Sequence, residues 1–146
     1  MERSRDIEQL VRAWFAAASK GDPALVRAHV SGSDATSLIG SDPSEIFKGG
    51  AAVTEFLMGE VSSAAGHAHF APRNTAAFSE GSLGWATTDL TITLPDGKYV
   101  TPRWSAVLHR EDAAWKFVQI HASIGIGNDA VGWVYPTDPT APTDRT

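Results

Sequence analysis

From His67 onward the sequence alternates apolar and polar residues in long runs, broken by turn signals at "SEGS", "PDG" and "EDAA" at near-regular spacing. Successive side chains leave a strand on opposite faces, so a period of two is the mark of a half-buried strand. The stretch predicts an antiparallel meander of four long strands. A sheet of that length twists, and it needs a second layer to cover its apolar face.

The second layer is encoded ahead of it. From Asp6 the residues Ile7, Leu10, Val11, Trp14, Phe15 and Ala18 recur at helical spacing, and "KGD" supplies a glycine stop. Asp22 and Pro23 open a shorter helix carrying Leu25, Val26 and Val30. "ATSLIG" suits a short strand, and "SDPSEIFKGG" reads as a Ser-Asp-Pro turn followed by one helical turn. Val53, Phe56, Leu57 and Val61 mark a third helix. Helices first and a long sheet afterwards predict an α+β domain over residues 1–134, with a curved antiparallel sheet wrapped around about three N-terminal helices. Where the helices do not fill its concave side, a hollow remains. The segment 135–146, rich in Pro and Thr, is expected to be a flexible tail.

Composition removes several function classes. Twelve Lys and Arg against 17 Asp and Glu give a net charge of −5, with the basic residues scattered, which argues against a nucleic-acid partner. With no cysteine there is no disulfide framework and no thiol chemistry, in keeping with a cytoplasmic location. The charged N-terminus "MERSRDIEQL" reads as neither signal peptide nor membrane span.

Turn lengths give a strand register. A two-residue loop at Asp96-Gly97 places Asp89 opposite Trp104, and the same loop at Asp112-Ala113 places Trp104 opposite His121 and Ala106 opposite Gln119. The expected row Asp89, Trp104, His121 then faces the helices together with Trp85, Trp115 and Phe117. The other face, with Leu90, Ile92, Val107, Val118 and Ile120, is too apolar for plain solvent exposure, and predicts a homodimer through the outer sheet face.

The candidate catalytic residues are therefore His121 and Asp89, an imidazole and a carboxylate in one hollow. Each has a bland alternative: a histidine satisfied by its neighbours, and an aspartate paired with Arg73 or Arg103. Trp14, Trp85, Trp104 and Gln119 are the candidate ligand-lining residues, for a small apolar or aromatic ligand. Asp42 and Glu45 fall at the mouth of the hollow, and Asp42 has the alternative of holding a turn before Pro43. His67 and His69 have the spacing of some metal sites but no third ligand in register, so no metal is expected. Gly125 and Gly127 precede no helix and so form no phosphate loop.

The order of elements, with "SDPSEIFKG", "GSLGWATTDLTITLPDG" and "RWSAVLHREDAAWKFVQIHASIG", resembles the SnoaL-like family of the nuclear transport factor two and ketosteroid isomerase superfamily over about the first 130 residues. The resemblance implies a cone-shaped domain of cystatin-like fold, usually dimeric, with a pocket between sheet and helices. It also implies a range of activities: isomerases, polyketide cyclases, dehydratases, hydrolases and many members with no known reaction. The isomerase-type tyrosine of the first helix falls near Trp14, which can donate a hydrogen bond but not act as an acid. Two readings stay open. One is a cofactor-independent acid/base enzyme acting on an apolar or aromatic carbonyl compound; the other is a non-catalytic dimeric binding or interaction module.

Overall fold

The computed structural model describes residues 1–132; the expected tail at 135–146 and the end of the domain at 134 lie outside them. In chain order the elements are β1 (Glu2–Arg3), α1 (Arg5–Lys20), α2 (Ala24–His29), β2 (Ser37–Ile39), β3 (Ile46–Lys48), α3 (Gly50–Ala64), β4 (His69–Glu80), β5 (Leu83–Thr93), β6 (Tyr99–Val100), β7 (Arg103–Glu111) and β8 (Ala114–Ser123), followed by a 3₁₀ turn at Asn128–Val131. The strands join one curved, unclosed sheet in the order β1-β4-β5-β7-β8-β2-β3, with β6 on β5. The three helices and this sheet make an α+β cone of cystatin-like fold.

The predicted meander is β4, β5, β7 and β8. Two details differ from the sequence reading. The sheet is mixed, because β2 runs parallel to β8. The "EIFK" segment forms β3, pairing with β2, where a helical turn was expected; Phe47 gains a packed face there, stacking on Phe56 of α3 at 4.3 Å.

Helix α1 holds the cone together. Ser4 caps it, its Oγ accepting from the Ile7 N–H at 3.4 Å, and Gly21, at φ 69°, ends it in the left-handed conformation that favours glycine. The face Ile7, Val11, Trp14, Phe15 and Ala18 is buried against Ala77, Ala86, Leu108, Trp115 and Phe117 of the sheet. Gly84, at the start of β5, allows this approach, because a Cβ there would run into the Ile7 side chain.

Two local features set which side chains face the helices, and both overturn the expected register. The first is the loop between β5 and β6. Leu94 and Lys98 close it by a hydrogen bond from the Leu94 N–H to the Lys98 carbonyl at 2.8 Å, so the turn is Pro95-Asp96-Gly97, three residues long, with Gly97 at φ 83°. One extra residue shifts every later pair, and Asp89 stands opposite Arg103 while Thr88 stands opposite Trp104. The second is in β8. The tight turn at Asp112-Ala113 is as expected, both residues having positive φ, and Glu111 pairs with Ala114. Beyond Leu108↔Phe117, however, Val118 bulges out of the ladder and Val107 pairs with Gln119. His121 is thereby opposite Ser105, and Ala122 is opposite Trp104.

Consequently Ala86, Thr88, Leu90, Trp104, Ala106, Leu108, Trp115, Phe117 and Ile120 are buried beneath the helices. Trp85, Asp89, Gln119 and His121 lie on the opposite, outer face, contrary to the expected inward row. The buried hydroxyl of Thr88 is satisfied, 3.0 Å from the Thr75 hydroxyl and donating to the Arg73 carbonyl at 2.9 Å.

Candidate functional site

A cavity of about 160 Å³ opens between α1, α3 and the concave face of the sheet. Trp14 and Phe15 from α1, Phe56 from α3, Phe70 from β4 and Trp104 from β7 supply aromatic walls, and Leu38, Leu90 and Ile120 line it too. Phe15 meets Trp104 edge to face at 5.3 Å and stacks on Phe70 at 6.2 Å, and Trp14 meets Phe117 behind it edge to face at 4.7 Å. In size the cavity is close to an apolar void of about 150 Å³ that accepts benzene.

Two carboxylates stand in the lining, Glu45 from the loop before β3 and Glu60 from α3. Glu60 is one turn after Phe56, so the apolar stripe of α3 carries it to the mouth of the cavity. Glu60 is solvent-exposed at the cavity mouth, yet partial desolvation by the wall around it, reinforced by the negative charge of Glu45, holds its carboxyl above its ordinary pKa. The Glu45 Oε2 accepts from the Asp42 N–H at 3.1 Å, which fixes the side chain over Gly40. Among the described residues no Lys, Arg or His lines this cavity. Glu60 was not among the sequence candidates, although an acidic residue inside an apolar helical stripe was the available signal.

Of the sequence candidates, Trp14 and Trp104 line this cavity and Glu45 stands with them. Asp42 does not. Its Oδ1 accepts from the Ser44 N–H at 2.8 Å and the Ser44 hydroxyl at 2.5 Å, holding the exposed turn through Pro43, and those bonds keep its pKa low. Trp85 stacks on Phe78 at 6.2 Å on the outer face, and Gln119 pairs with Val107 there.

Asp89 and His121 line a different depression, of about 430 Å³, on the outer face of the sheet, together with Asn74, Arg103, Ser105 and Ser123. The two candidates do share a concavity, but one turned away from the helices. Among the described residues no three His, Cys, Asp or Glu side chains group as a metal site, and no helix is long and apolar enough to cross a membrane.

Comparison with known proteins agrees with this architecture. A solved NTF2-like protein of unknown function from Pseudomonas putida KT2440 superposes with a TM-score of 0.74 at 18% identity, covering 92% of this chain and 94% of that one. A candidate ketosteroid isomerase from Parabacteroides distasonis gives 0.66 at 16% identity over 85% of this chain and 95% of its own. The association domain of the C. elegans kinase CaMKII gives 0.63 at 16% identity, over 82% and 93%. No functionally curated protein matches the sequence. The family model described as a SnoaL-like domain matches residues 7–127, from the first turn of α1 through β8, and the chain therefore belongs to the SnoaL-like family.

Proposed function

We propose that this SnoaL-like domain binds a small, apolar or aromatic carbonyl compound in the cavity beneath α3, and that Glu60, coupled to Glu45, exchanges a proton with it. The observation that carries the reading is a carboxyl with raised proton affinity at an aromatic-walled cavity. A carboxyl that keeps its proton closer to neutrality can donate it to a developing oxyanion, and a second carboxylate beside it offers an acceptor for a proton from carbon. That division of labour suits isomerase, cyclase or dehydratase chemistry without a cofactor, and the candidate ketosteroid isomerase of the same fold supports it by analogy.

A screen of monocyclic carbonyl compounds by thermal shift tests the binding half, since a ligand at 100 times its dissociation constant stabilises by about 2.7 kcal/mol. Glu60→Gln is expected to keep affinity within a few fold while turnover falls by about 10²–10⁴, the usual contribution of a general acid or base. Turnover unchanged in Glu60→Gln would remove this residue from the mechanism.

The same substitution has a pH signature. A carboxyl whose pKa is raised in the folded state binds more protons there than in the unfolded chain, so the stability it contributes is present in acid and is lost as pH rises through the folded value. Glu60→Gln is therefore expected to melt slightly higher than the wild type at pH 7, by no more than the roughly 0.5 kcal/mol typical of surface changes, and to converge with it below the carboxylate range.

A second reading concerns self-association. On the outer face Phe78, Leu83 and Val107 are 38%, 51% and 37% exposed beside the half-buried Trp85, an apolar group at one end of the sheet. We propose that a second copy of the chain covers it. The use of the same fold as an association domain in the C. elegans kinase supports this. Sedimentation velocity at micromolar concentration should give a dimer for the wild type and a monomer for Val107→Asp, which puts a charge into the contact. A wild type that sediments as a monomer up to about 100 µM would place its Kd above the range of a stable dimer.

A further inference from the structure

The outer face is divided. The row Trp85, Val107, Gln119 belongs to the apolar end, but the next two rows, read across β5, β7 and β8, are Thr87, Ser105, His121 and then Asp89, Arg103, Ser123. Six polar residues thus form a grid two rows deep on three neighbouring strands, with strands about 4.8 Å apart. The Val118 bulge is what brings His121 and Ser123 into it, and a second bulge, between Arg73 and Ala76 in β4, brings Asn74 to its edge. Together they line the 430 Å³ depression.

The charges within the grid are arranged unusually. Asp89 and Arg103 are direct cross-strand partners, a position where opposite charges ordinarily pair. No ion pair within 4.0 Å joins them. The Asp89 Oδ2 instead accepts from the Asn74 Nδ2 at 2.8 Å, with Asn74 held at φ 50° in the left-handed region that asparagine tolerates. Arg103 lies alongside Gly125, where a Cβ would be 3.6 Å from its Cζ, and its side chain makes no hydrogen bond or ion pair among the described residues. A guanidinium has five N–H donors in a planar fork that matches a carboxylate or phosphate. Here the fork is left without an acceptor on the central strand, flanked by the hydroxyls of Ser105 and Ser123 and the imidazole of His121.

We propose that this outer-face depression is a second binding site, separate from the cavity under α3, which takes a small oxyanion group, carboxylate or phosphate, with Arg103 as its counter-ion and His121 as a further hydrogen-bond donor. Asp89, turned aside by Asn74, bounds the site and favours ligands that place a hydrogen-bond donor next to the anion.

The test is a titration of the full chain followed by the ring resonances of its five histidines. Inorganic phosphate, acetate and the neutral isostere acetamide are the probes, and the first two arms distinguish a phosphate site from a carboxylate site. The expected result is a saturable shift confined to His121 with one or both anions and none with acetamide. In Arg103→Gln the affinity should fall tenfold or more with the melting temperature unchanged, and Arg103→Lys, which keeps the charge but not the fork, should fall between the two. A His121 signal that ignores both anions overturns the proposal. So does a response that never saturates, is equal for acetamide, or persists at full affinity in Arg103→Gln.

Discussion

Phe117→Ala is expected to lower the free energy of unfolding by about 3–5 kcal/mol, the usual range for removing a buried phenyl ring. Phe117 is fully buried on β8. Its ring meets Trp14 of α1 at 4.7 Å and Trp104 of β7 at 6.1 Å, both edge to face, so its loss withdraws a contact from each indole as well as its own transfer free energy. Collapse into the void is hindered from the backbone side, where the Phe117 carbonyl accepts from the Ser31 N–H at 3.0 Å and ties β8 to the loop after α2. Domains of this size have only about 5–15 kcal/mol to lose, so roughly a fifth or more of the stability should go, with a melting temperature lower by on the order of 10 °C. Denaturant unfolding followed by tryptophan fluorescence measures it. A loss below about 1 kcal/mol would mean that the aromatic cluster is not the centre of the core.

The same residue shows where the sequence was legible and where it was not. Trp115 and Phe117 alternate in one phase and Ile120 and Ala122 in the other, so the strand W-x-F-x-x-I-x-A changes phase between Phe117 and Ile120. That change is the trace of the Val118 bulge, and reading the alternation as continuous sends His121 inward. A bulge costs the ladder one pair and has no residue type of its own, so an ordinary valine gives no warning. The turn at Pro95-Asp96-Gly97 is similarly ambiguous, since the same glycine serves a two-residue or a three-residue hairpin. Helices, strand number and layering rest on periodicities repeated over many residues and survive such errors. Which residues reach the cavity depends on single-residue phase, and does not. Trp14 was legible because α1 is long and regular. Glu60 was overlooked because α3 was read only for its apolar stripe, in which the carboxyl sits one turn beyond Phe56.

That helix also carries the second large effect, expected from a single methyl group. A Cβ at Gly50 would be 2.6 Å from the Gly32 Cα and closer still to the Ser31 carbonyl oxygen, so the first turn of α3 rests directly on backbone. The loop beneath cannot yield cheaply. The Ser31 carbonyl accepts from the Thr36 hydroxyl at 3.0 Å, the Ser31 hydroxyl donates to Glu111 at 2.7 Å, and the Gly50 N–H donates to the Ser33 carbonyl at 3.0 Å. Gly50→Ala must separate helix from loop, and overpacking at this upper end costs about 3 kcal/mol. Gly59, in the same helix, has open space where its Cβ would be, and Gly59→Ala should instead stabilise by up to about 1 kcal/mol through helix propensity. Because α3 provides Phe56, Leu57 and Glu60 to the cavity, Gly50→Ala should also weaken any ligand found there, while Gly59→Ala leaves its affinity unchanged. Paired thermal melts with and without that ligand separate the two outcomes. Equal stabilities for the two alanine variants would show that α3 does not seat on the Ser31–Gly32 backbone, and with that the wall holding Glu60 at the cavity mouth would lose its anchor.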